Sequence, residues 1–126
     1  MSNNKNKKFD LEDRTATFGE EIIDFCKQIK ETNINRIIIS QLIKAVTSIG
    51  ANYCEADCAE TRKDFEHKLG ICKKESRETK HWLRVLARAE PEHKGKIRRF
   101  WKEANELNLI FLTIVKKSRN NNTKIK

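Results

Sequence analysis

Four cysteines, three histidines and several paired glutamates are the residues of this chain that could do metal or covalent chemistry. Cys26, Cys54, Cys58 and Cys72 are even in number, and Cys54 and Cys58 stand four apart. On a helix that spacing puts two thiols on one face, with His67 the nearest third ligand. It fits no zinc-finger pattern. Cys26 and Cys72 fall on apolar stripes, where a thiol behaves as a small hydrophobe. Reduced, structural cysteines are therefore expected, with no metal and no disulfide. His67, His81 and His93 form no pair at helical spacing, and no Ser-His-Asp or Cys-His order is visible. Glu75 with Glu78, and Glu20 with Glu21, could serve as paired carboxylates, but glutamates on a charged helix read as a solvated face. No enzyme activity and no cofactor are expected.

The basic residues are organised more tellingly. The chain carries 27 Lys and Arg against 18 Asp and Glu, net +9. Residues 1–30 balance at net 0 and residues 31–60 at −2, while residues 61–90 carry +4 and residues 91–126 carry +7. Lys73, Arg77, Lys80, Arg84 and Arg88 recur at steps of 4, 3, 4 and 4, a single stripe along a helix. Lys94, Lys96, Arg98, Arg99 and Lys102 follow across Pro91. Such a ridge can track a phosphate backbone. Its bland counterpart is a solvated face with i,i+4 partners such as Glu78. Scarce acids after residue 91 favour the polyanion, and nucleic acid is the commonest one in a cell. Composition alone leaves anionic lipid open. Trp82 and Trp101 could stack on bases, or could be core and interface residues, since Trp101 falls on the expected buried stripe of its helix.

These residues must be held by something, and composition says what. A chain of 126 residues makes one domain with one core. Its 4 Gly and 1 Pro are too few breakers for a turn-rich β fold, and it has no Gly-rich phosphate loop. No run approaches the ~20 apolar residues of a membrane span. Met1 to Lys8 is polar with no apolar stretch behind it, so no secretory signal is expected and a cytoplasmic, reducing setting is.

Apolar spacing predicts four helices. The first begins near Asp13 or Thr15, with Phe18, Ile22, Phe25 and Ile29 on one face. The second runs from about Ile34 to Cys54, capped by Asn33 or Asn35, with Ile38, Leu42, Ala45, Ile49 and Asn52 on one stripe. Ile39, Ile43 and Val46 form a second stripe beside it. A helix apolar on most of its circumference is buried on most of it, which points to a subunit contact. The third starts after Thr61, carries the seam Phe65, Leu69, Cys72, Ser76, Thr79, Leu83 and Leu86, and stops near Ala89 because Pro91 follows. At about 1.5 Å per residue it is roughly 43 Å long. The fourth covers about Lys94 to Lys117, with Ile97, Trp101, Ala104, Leu107 or Asn108, Phe111 and Val115 buried. An all-α, antiparallel up-down-up-down four-helix bundle over residues 13–117 is the simplest assembly. Residues 1–12 and the basic stretch 118–126 are expected to be flexible ends.

Polar residues inside these seams require partners. Ser48, Asn52 and Glu55 share one side of the second helix, Glu75 and Glu78 flank Ser76 and Thr79, and Arg14 is placed to reach such carboxylates. A shared network of Arg14, Ser48, Asn52, Glu55 and Glu78, fixing register or lining a subunit contact, is the economical expectation.

At these residues the chain resembles a known family. Asp13-Arg14-Thr15 with Phe18, then SIGANYCEA (48–56), KDFEHKLGI (63–71) and ESRETKHWL (75–83), are similar to the four-helix-bundle proteins encoded in intervening sequences of bacterial 23S ribosomal RNA genes. The match spans about residues 9–90. It implies a small helical bundle assembled as a homopentamer. Related proteins accompany reverse transcriptases as basic partners of nucleic acid. By position, the family's motif residues here are Arg14, Ser48, Asn52, Glu55, Phe65, Lys68, Glu78 and Trp82, all structural or interfacial by that resemblance. Glu55-Ala56 replaces the Glu-Gly of many members, and the connection at 30–35 lacks their proline. The expected function is a non-enzymatic, oligomeric nucleic-acid-binding protein, with RNA as partner. The alternative is a protein–protein adaptor, for example for a reverse transcriptase.

Overall fold

The computed structural model describes residues 10–125, with side chains through residue 121. Residues 1–9, which hold most of the expected flexible start, lie outside the described residues, as does Lys126. Four helices follow one another: α1 (Leu11–Lys27), α2 (Asn33–Asp57), α3 (Arg62–Ala89) and α4 (Lys94–Ile125), with a 3-10 turn at Pro91–His93 between the last two. No strand occurs among the described residues.

Each start has a local chemical cause. The Asp10 carboxylate accepts the backbone N–H of Asp13, so α1 begins at Leu11, before the expected Asp13 or Thr15. Leu11 and Thr15 thereby join Phe18, Ile22 and Phe25 on one buried face. At α2 the cap is Thr32, not Asn33 or Asn35. Thr32 Oγ1 accepts from the Asn35 N–H (3.0 Å) and Asn35 Oδ1 accepts from the Thr32 N–H (2.8 Å), a reciprocal capping box. Asn35 is fully buried and spends its amide protons on the Lys30 carbonyl and Glu90 Oε2, tying the start of α2 to the end of α3. Thr61 caps α3 through the Asp64 N–H, as its sequence pattern predicts. That helix ends at Ala89, where Glu90 turns out of the helical region before Pro91.

The last helix runs past Lys117 to Ile125, so the stretch expected to be a tail continues the rod. No Gly or Pro follows Gly95, so nothing breaks the backbone ladder. Ser118 Oγ donates to Glu66 Oε2 (2.5 Å), carrying the α3–α4 contact beyond the expected end. The buried face of α4 is Ile97, Phe100, Ala104, Leu107, Phe111 and Val115. Phe100 takes the place expected for Trp101, and Leu107 is buried rather than Asn108. Steps of 3, 4, 3, 4 and 4 keep this face continuous, and Trp101 falls beside it.

The seam of α3 is buried from Leu69 to Leu86, with Phe65 half-buried. Its polar members cost nothing unpaired: Ser76 Oγ donates to the Cys72 carbonyl (2.7 Å) and Thr79 Oγ1 to the Glu75 carbonyl (2.8 Å). The α2–α3 and α3–α4 contacts are the most extensive, while α1 lies on α2 and touches α4 only lightly. At that light contact Phe100 meets Phe18 (6.3 Å between centroids) and Phe25 (5.4 Å).

By length and composition alone, α2 would be able to cross a membrane, with mean hydropathy 1.2 over an 18-residue window. Counting contiguous apolar residues misses this, because Ser40, Gln41, Lys44 and Thr47 interrupt the run. Here Ile38, Leu42, Ala45, Val46 and Ile49 are core residues, while Ile34 is 71% exposed and Ile37 62%.

Candidate nucleic-acid interface

The ten basic candidates do not form one surface. Arg84 and Arg88 on α3 face Lys94, Arg98 and Lys102 at the start of α4 across a groove of about 590 Å³. Leu83, Ala87, Pro91, Ile97 and Trp101 complete its walls and floor, and no carboxylate lines it. The Pro91 turn creates this arrangement, because it folds the end of one basic helix beside the start of the next. Residues of α4 advance by about 100° each. Lys94, Arg98, Trp101 and Lys102 thus share one side, whereas Lys96 and Arg99 fall on another. Those two open onto a separate cleft of about 1120 Å³ between α1 and α4, which Asp13, Glu21, Asp24 and Glu103 also line. There the local field is mixed in sign.

Lys73, Arg77 and Lys80 continue the α3 stripe away from the groove. Lys73 and Lys80 are half-buried against α4, and Arg77 is exposed. Lys80 Nζ donates to Asn105 Oδ1 (3.0 Å) and sits 5.3 Å from the centre of the Trp101 ring. Asn108 Nδ2 donates to the Lys73 carbonyl (2.8 Å), so a residue beside the buried stripe of α4 ties that helix to α3. Among the described residues, ion pairs join Arg14 to Glu103 and Glu106, Arg36 to Glu31, and Lys68 to Glu55. None of the ten basic candidates takes part in them.

The expected polar network is not one network. Asn52 Nδ2 donates to the Ser48 carbonyl (2.9 Å) and to Ser48 Oγ (3.0 Å), a bond within α2. Glu55 pairs with Lys68 of α3 at 2.5 Å. Arg14 reaches neither: its guanidinium grips Glu103 through Nε and Nη2 (both 2.8 Å) and Glu106 through Nη2 (2.7 Å). Its partners lie on α4 because α1 rests against that helix through Phe18, Phe25 and Phe100. The Glu103 hydrogen bonds, with Glu106 adding, outweigh burial and hold Arg14 more firmly protonated than usual. Glu78 is exposed and joins none of these groups among the described residues.

The metal-ligand alternative disperses as well. Cys54, Cys58 and His67 are exposed and do not converge, while Cys26 and Cys72 are buried. Burial pushes the Cys26 thiol up to about 11 and the Cys72 thiol up to about 12. Among the described residues, Glu90, Glu92 and His93 are the one group of three potential ligands within reach of each other, and Glu90 already accepts from Asn35. Desolvation, and then the neighbouring Glu78, hold the Glu75 carboxyl above its ordinary range.

Comparison with known proteins agrees with this fold. The chain matches a crystal structure from Bacteroides thetaiotaomicron, described as a protein with unknown function from the S23 ribosomal protein family, at 32% identity and TM-score 0.74. The match covers 83% of this chain and 97% of that one. No curated protein matches. The family model described as 23S rRNA-intervening sequence protein matches residues 7–118, from four residues before α1 through most of α4. This chain therefore belongs to the 23S rRNA-intervening sequence protein family.

Proposed function

We propose that this protein is a non-enzymatic, cytoplasmic nucleic-acid-binding protein that contacts RNA through the basic groove between α3 and α4. The observation that carries the reading is the acid-free ring of Arg84, Arg88, Lys94, Arg98 and Lys102. Side chains already paired with carboxylates would have little charge left for phosphates. These five enter no ion pair among the described residues and keep theirs. The family name, which refers to 23S rRNA, is consistent with an RNA partner. Filter binding at low salt to structured RNA, single strands and duplex tests the proposal. Micromolar binding to any of them is expected, and no binding to all three overturns it.

The proposal includes an antiparallel, up-down-up-down course and assembly as a homopentamer. The pairs Glu66 with Ser118, Lys73 with Asn108 and Lys80 with Asn105 support the course, since partners on α4 fall in number as those on α3 rise. Family membership and the exposed Ile34 and Ile37 of α2 support the assembly. Repeating one modest patch around an axis would raise avidity without new contacts. Light scattering is expected to report a particle several times 14.8 kDa, and a monomer removes this part. The same isoleucines favour a second reading, a protein adaptor, which predicts a partner that stays bound after nuclease treatment.

A further inference from the structure

The groove between α3 and α4 combines two properties, charge and an apolar strip. Its cations stand on both walls, Arg84 and Arg88 on one and Lys94, Arg98 and Lys102 on the other. Between them runs an apolar strip that includes Ala87, Ile97 and Trp101. Trp101 is 37% exposed, and Lys80, itself anchored on Asn105, lies 5.3 Å from the centre of its ring. A purely electrostatic phosphate track needs no such strip. A pocket of about 590 Å³ lies within the ~300–1,000 Å³ that small ligands occupy.

The occupant must present a flat apolar face and negative charge on either side of it. A duplex buries its base faces in its own stack and offers phosphates and base edges, with no open ring face. A lipid bilayer offers both kinds of chemistry, but a flat surface engages protruding apolar side chains, not a recess walled by cations. A single strand alternates ring and phosphate at the right scale, and aromatic side chains in basic grooves suit it whatever the base. We infer that the groove seats an unpaired base of single-stranded RNA against Trp101, with the flanking phosphates held by Arg84 and Arg88 on one wall and Arg98 and Lys102 on the other. This rests on the nucleic-acid reading above.

Fluorescence anisotropy on the full chain tests it, with three labelled probes of equal length: a twelve-nucleotide RNA strand, its duplex, and an abasic strand with the same phosphates. The RNA strand is expected to bind more tightly than the abasic one. Trp101→Ala is expected to weaken the RNA strand by about 5- to 150-fold, the ~1–3 kcal/mol of one stacked base converted at 1.4 kcal/mol per tenfold. It should leave the abasic strand unchanged, and Trp101→Phe should restore most of the loss. If strands bind but Trp101→Ala has no effect, or the abasic probe binds equally well, the base seat is wrong while the nucleic-acid reading stands. If no probe binds at low salt, that reading fails first. Binding only to phosphatidylglycerol vesicles would overturn both. Circular dichroism of the two Trp101 variants separates loss of stacking from loss of fold.

Discussion

Removing one groove cation should change how binding responds to salt, by an amount the geometry sets. Five cations face the groove. Four of them, Arg84, Arg88, Arg98 and Lys102, hold phosphates, and each phosphate neutralised on a single strand releases about 0.7 counterion, so one groove should give a log–log slope of affinity against salt of about −2.8. Raising salt from 50 to 200 mM then weakens binding by about 50-fold. Arg98→Gln removes one contact and should flatten the slope by about 0.7, as should Arg84→Gln. Lys96→Gln should leave the slope alone, because Lys96 lies in the α1–α4 cleft among Asp13, Glu21, Asp24 and Glu103. Anisotropy titrations of a single-stranded RNA at five salt concentrations measure this. A wild-type slope shallower than −1, or one that Arg98→Gln does not alter, would refute the reasoning.

Other consequences concern the scaffold. Arg14→Met removes the polar grip between α1 and α4; with the exposed Glu106 contact discounted, urea unfolding should report a loss of about 1–2 kcal/mol. Gly70→Ala in the middle of α3 should raise stability by up to ~1 kcal/mol, since an added Cβ meets nothing within 4 Å. Cys54 and Cys58 should react with a thiol reagent in the folded protein, and Cys26 and Cys72 only on unfolding. Because burial raises the Cys26 and Cys72 thiols to about 11 and 12, the unfolded chain loses those protons first as pH rises from about 9. Stability should therefore fall between pH 9 and 12, and less steeply in Cys72→Ala.

Much of this scaffold is legible in the sequence because burial leaves a period. Phe18, Ile22 and Phe25 on α1, Ile29 just past its end, and Leu69, Cys72, Ser76, Thr79, Leu83 and Leu86 on α3, are all buried where their spacing places them. Pro91 marks the α3–α4 turn because its ring forbids a helical Glu90. Ends are harder to read. Asp10 and Thr32 are ordinary polar residues until a backbone N–H lies within reach, and several candidates compete for each cap. Phe100 and Trp101 are neighbours of similar hydrophobicity, and a 100° turn decides which is core. Lys96 and Arg98 look alike in a charge count but lie on different sides of α4. Arg14 could be seen to need a carboxylate, but Glu103 and Glu106 lie about ninety residues along the chain, and no local pattern connects them.

The central claim is that position, not total charge, makes the nucleic-acid site. Two double variants isolate it: Arg84→Gln with Arg98→Gln, and Lys96→Gln with Arg99→Gln. Both remove two positive charges and so weaken the long-range field equally. Side-by-side titration with one RNA strand at 100 mM salt should find the first pair at least tenfold weaker than the second, which should bind nearly as the unaltered protein does. Equal affinities for the two would contradict the account.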